Sequence, residues 1–419
     1  MAWPQDDATD ADRVSARTGT ARRSRGAWAA ALAAVLPLLP AGSSGRTGDP
    51  PAPTQAAPAD TPFANGFPDD PHFFPIGVWM QSPDRAPAYK RIGINTYVGL
   101  WDGPTGAQLS ELAGQGLFAV AEQNEVALAS PDRHVVRAWM HADEPDNAQA
   151  TWFGIHVACV PPQQVADRTT EMKRRDPTRP VFLNFGRGVA DFAWRGRGTC
   201  TGDTSYYGIA AARADIASFD IYPVANADPP VKGRLEYVAR GVANLRAWAR
   251  DARWVWAVIE TAGIRDGRAR PSAEQIRAEV WLALVAGARG IVYFVHEFAP
   301  TFREDGIFRH PDAVAAVARV DQEIRSLAPV LNSPPGTVQA DASGSTGPVA
   351  TMLKVYEGET YLFAVSESPV PSEARIRIPG IRDADAVVLG EDRTVHLSDG
   401  VLEEPFGPYD VHLYRLAAE

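Results

Sequence analysis

Short runs of apolar residues alternate with amphipathic stretches through much of the chain. Eight apolar runs occur before residue 300, at 74–79, 94–100, 117–122, 135–143, 181–185, 216–222, 254–260 and 291–296. The stretches between them place apolar residues at helical spacing, most clearly at 163–175, 234–250 and 272–288. Several of the runs are apolar at every position, which is typical of strands covered on both faces. The pattern predicts parallel strands connected by helices.

Eight strand–helix units between residues 74 and 333 fit a (β/α)₈ barrel, which typically needs about 250 residues. The third helix is weakly marked, because only a short stretch separates strands three and four. An open doubly wound sheet is the alternative. Such a sheet usually has a glycine-rich phosphate turn after its first strand, and Ile76-Gly77-Val78-Trp79 is not one. We therefore expect an α/β protein whose barrel occupies residues 66–335.

The pattern changes after residue 336. Runs at 360–365, 374–378, 386–389 and 409–416 alternate apolar and polar residues, and turn residues separate them. No helical periodicity is evident in this part. Residues 336–419 are therefore predicted to form a small all-β sandwich domain that follows the barrel.

The chain begins with features of an exported protein. Arg22, Arg23 and Arg25 precede an apolar stretch at 27–39, and small residues follow it. This stretch is too short to span a bilayer, which needs about 20 residues. We expect residues 1–42 to be a signal peptide, with a disordered alanine-rich tail as the alternative. Residues 43–65 are predicted to be a disordered Pro/Ala-rich linker. No membrane span is expected in the mature chain.

Charge and cysteine content limit the possible partners. The chain has 41 basic and 51 acidic residues, a net charge of −10, which argues against a nucleic-acid partner. Cys159 and Cys200 are the two cysteines, and they lie in the predicted loops after strands four and five. In a secreted protein they are expected to form a disulfide, although two free buried thiols are the alternative.

Polar side chains follow several of the predicted strands. Asp143 and Glu144 come after strand four, Asp220 and Tyr222 end strand six, Glu260 ends strand seven, and His296 ends strand eight. Catalytic residues of barrel enzymes lie at the carboxyl ends of the strands. Strand alternation points Asp220 and Glu260 toward the inside, where a carboxylate is costly to bury unless it has a partner or a task.

Glu144 and Glu260 suggest a specific reaction. Two carboxyl groups about 5–5.5 Å apart can cleave a glycosidic bond with retention, one as nucleophile and the other as acid and then base. The alternative is that both are ion-paired residues at the barrel rim. A carbohydrate substrate and no cofactor are expected.

Two short segments carry a family resemblance. His141-Ala142-Asp143-Glu144-Pro145-Asp146 and Val258-Ile259-Glu260-Thr261 resemble the strand-four and strand-seven signatures of the clan A retaining glycoside hydrolases. The resemblance implies that Glu144 is the acid/base, that Glu260 is the nucleophile, and that Tyr222 hydrogen-bonds the nucleophile. The clan usually has asparagine where this chain has Asp143. A carboxylate there accepts a sugar hydroxyl and favours the protonated form of Glu144.

Further residues at strand ends are candidates for substrate binding. Aromatic rings stack on the apolar faces of sugars, and amides bind hydroxyl groups. The candidates are Trp79, Trp101, Trp194, Asn124 and Asn184, together with Asp143, Asp220, Tyr222 and His296. For any single tryptophan, core packing is the plainer interpretation.

Two other functions stay open at this stage. A non-catalytic carbohydrate-binding surface protein could use the same barrel, because fold does not imply activity. His141, Asp143, Glu144, Asp220 and His296 could instead hold a metal, although strand one has no His-x-His motif, and we expect no metal. The sequence does not indicate the sugar, the linkage, exo or endo action, or the oligomeric state.

Overall fold

A computed structural model describes residues 63–149, 157–194, 202–249, 254–264, 269–334 and 339–416. The predicted signal peptide and nearly all of the predicted linker lie outside these ranges, so export stays a prediction. Within the described ranges, no helix is both long enough and apolar enough to cross a membrane.

Eight parallel strands close into a barrel in chain order, which confirms the predicted fold class. They are β1 (Ile76–Gln81), β2 (Thr96–Leu100), β3 (Phe118–Glu122), β4 (Val136–Met140), β5 (Val181–Phe185), β6 (Ile216–Asp220), β7 (Trp254–Glu260) and β8 (Ile291–Phe294). Gly77 of β1 pairs with Thr96 of β2 on one side and with Val292 of β8 on the other, and this pairing closes the sheet. We call the end formed by the strands' carboxyl termini the barrel mouth.

Each strand is followed by a helix in the described part of the barrel. The helices are α1 (Ala86–Ile92), α2 (Gly106–Gln115), α3 (Glu125–Ala129), α4 (Pro162–Arg175), α5 (Ser205–Ala210), α6 (Glu236–Trp248), α7 (Ala273–Val285) and α8 (Pro311–Asn332). The weakly marked third helix has only five residues. The predicted capping pair of α7 is present: the Ser272 side chain accepts from the Gln275 backbone N–H, and the Gln275 side chain accepts from that of Ser272.

Strand alternation separates two apolar layers, as the sequence predicts for β7. Trp256 and Val258 pack inside the barrel together with Val98 and Phe182. Val255, Ala257 and Ile259 face the surrounding helices in a second, larger cluster. The barrel interior is therefore filled by side chains, and the space for a ligand lies at the mouth.

The C-terminal region is an all-β domain, as predicted. Its strands are β9 (Asp341–Gly344), β10 (Val349–Tyr356), β11 (Glu359–Ser366), β12 (Ser372–Arg377), β13 (Ala384–Val388), β14 (Arg393–Leu397), β15 (Val401–Phe406) and β16 (Val411–Leu416). They form an antiparallel five-stranded sheet and an antiparallel three-stranded sheet. The domain packs on α7, where the Trp281 ring stacks on Phe363 at 5.3 Å and Arg277 donates to the Val411 carbonyl at 2.9 Å.

Candidate active site

The carboxyl ends of β4, β5 and β6 bring five predicted site residues together at the mouth. Asn184 Nδ2 donates to Asp143 Oδ1 at 2.9 Å and to Asp220 Oδ2 at 3.5 Å. The Tyr222 hydroxyl donates to Asp220 Oδ2 at 3.2 Å. Glu144 completes this group through its contact with Asp220. We call these five residues the mouth cluster.

Asp220 and Glu144 are two acidic groups of the cluster that contact each other. Their carboxyl groups share a hydrogen bond, which requires a proton on one of them. Burial raises the pKa of Asp220 well above its usual range, and the nearby charges of Glu144 and Asp143 raise it further. Burial and these charges therefore favour the protonated form of Asp220. Its side chain is almost covered, whereas Asp143 and Glu144 are partly exposed.

The backbone at Glu144 is strained. Its φ of 40° lies in the left-handed region, where a non-glycine residue costs about 1–3 kcal/mol unless its surroundings hold it there. The Glu144 N–H donates to the Asn184 carbonyl at 3.1 Å, and its own carbonyl accepts from the Asn147 N–H at 3.0 Å. Met80 and Asp102 adopt the same conformation beside the ends of β1 and β2. Such strain is common at functional sites, and these three residues all lie near strand ends at the mouth.

Asp146 supports the loop that carries Glu144, and the sequence analysis did not select it as a site residue. This carboxyl group is fully buried, accepts from the Gly186 N–H at 2.9 Å and accepts from the Tyr207 hydroxyl at 3.0 Å. Burial raises the pKa of Asp146 to about 7, and the charge of Glu144 acts in the same direction. The signal in the sequence was its place in the same short motif as Glu144.

Gly186 is a second residue that the sequence analysis passed over. A Cβ atom at this position would lie 2.7 Å from Glu144 Oε1 and 2.6 Å from Asn147 Nδ2. The absence of a side chain at 186 therefore makes room for the Glu144 carboxyl group. In the sequence this glycine belongs to a Gly-Arg-Gly stretch after strand five that indicates only a loop.

Glu260 lies at the end of β7 but is fully buried. Its Oε1 accepts from the Val224 N–H at 2.6 Å and its Oε2 accepts from the Ala225 N–H at 2.9 Å. It also contacts Glu279 of α7, another fully buried glutamate. Burial raises the pKa of Glu260 to about 7 and that of Glu279 well above its usual range. We call Glu260 and Glu279 the buried pair.

The prediction that Tyr222 hydrogen-bonds Glu260 is wrong. The Tyr222 hydroxyl donates to Asp220 instead, because the two side chains leave the same strand end on the same face. Glu260 receives its hydrogen bonds from the backbone of the loop that follows Tyr222.

Aromatic rings line the mouth from Tyr222 to Trp101. Tyr222 lies 5.0 Å from Phe294, and Phe294 lies 4.9 Å from the buried His296. The partly exposed Trp101 stacks on Phe302 at 5.2 Å. His296 Nε2 donates to the Met80 carbonyl at 3.1 Å, and burial lowers its pKa to about 4, so the ring is neutral. Its Nδ1 is then a bare acceptor without a hydrogen-bond partner among the described residues.

The other predicted binding residues have different environments. Trp79 is only 5% exposed and packs against Phe182 in the barrel core, so it has no free face for a sugar. Asn124 caps α3, because its Oδ1 accepts from the Ala127 N–H at 2.8 Å and its Nδ2 donates to the Pro104 carbonyl. Trp194 is partly exposed and donates to Asn147 Oδ1 at 3.1 Å, which places it beside the Glu144 loop.

Two further expectations concern the cysteines and metal binding. Cys159 is partly buried after β4, and Cys200 lies outside the described residues, so the disulfide stays a prediction. Within the described part of the chain, no group of three or more histidine, cysteine, aspartate or glutamate side chains is arranged to hold a metal ion.

Comparison with solved structures supports the fold. α-Galactosidase I from Mortierella vinacea is similar over 84% of this chain and 98% of its own, with a TM-score of 0.52 and 9% identity. A putative α-galactosidase from Bacteroides fragilis (TM-score 0.48, 11% identity, 83% of this chain and 79% of its own) and a GH30 endoxylanase from Clostridium papyrosolvens (0.45, 10%, 83% and 97%) also match. No protein-family model and no curated protein sequence matches the chain.

Proposed function

We propose that this protein is a glycoside hydrolase and that Glu144 and Asp220 are its catalytic carboxyl groups. The observation that carries the proposal is the contact between these two groups at the barrel mouth. The Asn184 amide and the Tyr222 hydroxyl hold Asp220, and Glu144 is partly exposed. The barrel that this chain shares with an α-galactosidase supports the class of reaction but does not select the sugar.

The protonation of the pair matches the needs of glycosidic cleavage. A leaving glycosidic oxygen must receive a proton, and the anomeric carbon must be attacked by a carboxylate or by a water that a carboxylate activates. Asp220 holds the proton and is the general acid in this scheme. Glu144 is then the partner that attacks the anomeric carbon or activates water, although the family resemblance implies the acid/base role for it. A sugar entering the mouth would separate the two groups, and it would meet the partly exposed Glu144 first.

The assignment implied by the resemblance is the second candidate. In it, Glu260 attacks the sugar in a double displacement and Glu144 is the acid/base. The two backbone N–H donors favour this candidate, because they stabilise an ionised Glu260. It requires Glu260 to leave both donors and reach the substrate from a position with no exposed surface. For that reason we prefer Asp220. Secretion and the Cys159–Cys200 disulfide remain part of the proposal.

The first experiment is a screen of the purified protein against cell-wall and plant polysaccharides, with product analysis. Release of sugars is expected, and Glu144→Gln should abolish it. Binding without product release, unchanged by removal of the acidic groups, would contradict the proposal and favour the carbohydrate-binding protein.

The two candidates can be separated with azide, a small anion that replaces a missing nucleophile. If Glu260 attacks the sugar, Glu260→Ala should regain activity in azide and form a glycosyl azide. Our preferred scheme expects no such product from this variant.

A further inference from the structure

The buried pair joins three elements of the barrel wall. Glu260 ends β7, Glu279 lies in α7, and the backbone N–H groups of Val224 and Ala225 belong to the loop after β6. Both carboxyl groups are fully buried. The only described polar contacts of the Glu279 carboxyl group are with the side chain and the backbone of Glu260. The mechanism proposed above leaves this pair without a task.

The pair must hold a proton. Two ionised carboxylates in contact would repel each other, and burial removes the water that would screen them. No cation among the described residues compensates them. Arg277, on the same helix, is paired with Glu323 of α8 at 3.0 Å. On the adjoining β8, Tyr293 donates to Asp321 of α8 at 2.7 Å.

The proton belongs to Glu279. Glu260 accepts two backbone N–H groups at 2.6 and 2.9 Å, which favour its ionised form, whereas the only backbone group that contacts Glu279 is that of Glu260 itself. A protonated Glu279 donates to Glu260 and gives its own buried carboxyl group a partner. The pair then carries one negative charge, which is directed at the two N–H groups of the loop.

We propose that Glu279 is a positioning residue that acts through Glu260, and that the buried pair holds the loop segment 222–225 in place by a shared proton and two backbone hydrogen bonds. This segment begins with Tyr222, whose hydroxyl donates to Asp220. A helix residue outside the mouth is thereby connected to the general acid. The effect on catalysis rests on the function proposed above, whereas the effect on the loop does not.

Amide hydrogen exchange of the full-length protein tests the effect on the loop directly and needs no substrate. Glu279→Ala removes the donor that holds the Glu260 carboxylate in position, so Glu260 can leave its two hydrogen bonds, and exchange at Val224 and Ala225 should become roughly tenfold faster or more. Glu279→Gln can still donate an N–H to Glu260 and should keep these amides protected. Unchanged exchange in Glu279→Ala would overturn the proposal.

The pH dependence of exchange gives a second readout, which is available even if Glu279→Ala does not fold. In the wild-type protein, protection at 224 and 225 should fall at alkaline pH, when Glu279 loses its proton, beyond the intrinsic pH dependence of exchange. Glu279→Gln cannot lose this proton and should show constant protection. The same pH dependence in both proteins would refute the role of the proton.

Asp321→Asn is the matched control. Asp321 is also a fully buried acidic residue facing the strands, but its partner is Tyr293 rather than the loop. This variant is expected to change the overall stability and leave protection at 224 and 225 unchanged relative to the rest of the barrel. If the hydrolysis screen fails while the exchange results hold, the positioning role stands and the proposed function falls.

Discussion

Two pairs of acidic residues lie near the same end of the barrel, and their surroundings differ. In the mouth cluster, Asp220 meets the partly exposed Glu144, and polar side chains surround them. In the buried pair, Glu260 meets Glu279 without any exposed surface, and the hydrogen-bond donors are backbone N–H groups. Both pairs need a proton, but only one of them is open to a ligand.

This difference shows what a strand-end position does and does not indicate. β6 and β7 both end in an inward acidic residue, and both positions are consistent with catalysis. The Asp220 side chain contacts the residues of the mouth cluster, whereas Glu260 accepts hydrogen bonds from the neighbouring loop and contacts Glu279 of α7. The same residue type at equivalent strand ends therefore serves chemistry in one case and backbone positioning in the other.

A large predicted effect concerns proton donation by Asp220. Asp220→Asn should lower kcat/KM on a natural glycoside by roughly a thousandfold, within the range for loss of a general acid. On a dinitrophenyl glycoside the loss should be small, because that leaving group needs no proton. Kinetics on the two substrates provide the measurement. Equal losses on both would show that Asp220 is not the acid.

A smaller effect is expected from filling the space at Gly186. Gly186→Ala places a methyl group where the Glu144 carboxyl now lies, and a displacement of this size should reduce kcat by roughly tenfold to a hundredfold. Gly208→Ala is the control, because a Cβ at that position in α5 meets nothing within 4 Å. Equal activity of the two variants would show that Glu144 does not need its present position.

The raised pKa of Asp146 predicts that the stability of the protein depends on pH. Folding raises the pKa of Asp146 from 3.8 to about 7, so the folded protein binds this proton more tightly than the unfolded chain. The contribution of this proton to the stability of the fold is complete below about pH 4. It is lost as the pH rises to about 7, a change of a few kcal/mol at most. In denaturant unfolding, the free energy of unfolding of Asp146→Asn should fall less steeply between about pH 4 and pH 7 than that of the wild-type protein. A decline equal to that of the wild-type protein would contradict the assignment.

The smallest predicted effect is a shift in the pH profile of activity. The charge of Asp143 raises the pKa of Asp220, so Asp143→Asn should lower it. The alkaline limb of kcat/KM would then move to lower pH. An alkaline limb that stays in place would indicate that another group controls it.

The fold was predictable because it depends on periodicity. Runs of apolar residues at regular intervals define β1–β8, and alternation in β7 correctly assigns Trp256 to the interior and Ile259 to the helix layer. The mouth cluster was also predictable, because its residues lie at the ends of strands or within four residues of them.

Other features depend on where side chains meet in space. Glu279 lies within an almost entirely apolar face of α7, and nothing in its local sequence indicates contact with Glu260. Asn184 lies inside the end of β5 and reaches the mouth, whereas Asn124 lies just beyond β3 and caps the short α3. Trp79 lies within β1 and is enclosed by the core, whereas Trp101 directly follows β2 and reaches the mouth. Local pattern cannot separate these cases, because the deciding contacts come from distant segments.

The most direct test of the central claim compares Glu144→Gln with Glu260→Gln on one hydrolysable substrate under the same conditions. We predict that Glu144→Gln loses at least about a thousandfold in kcat/KM, whereas Glu260→Gln retains clearly measurable turnover because glutamine can still accept one of the two backbone N–H groups. Complete inactivation of Glu260→Gln with an intact fold, together with azide rescue of Glu260→Ala, would contradict the account and establish Glu260 as the nucleophile.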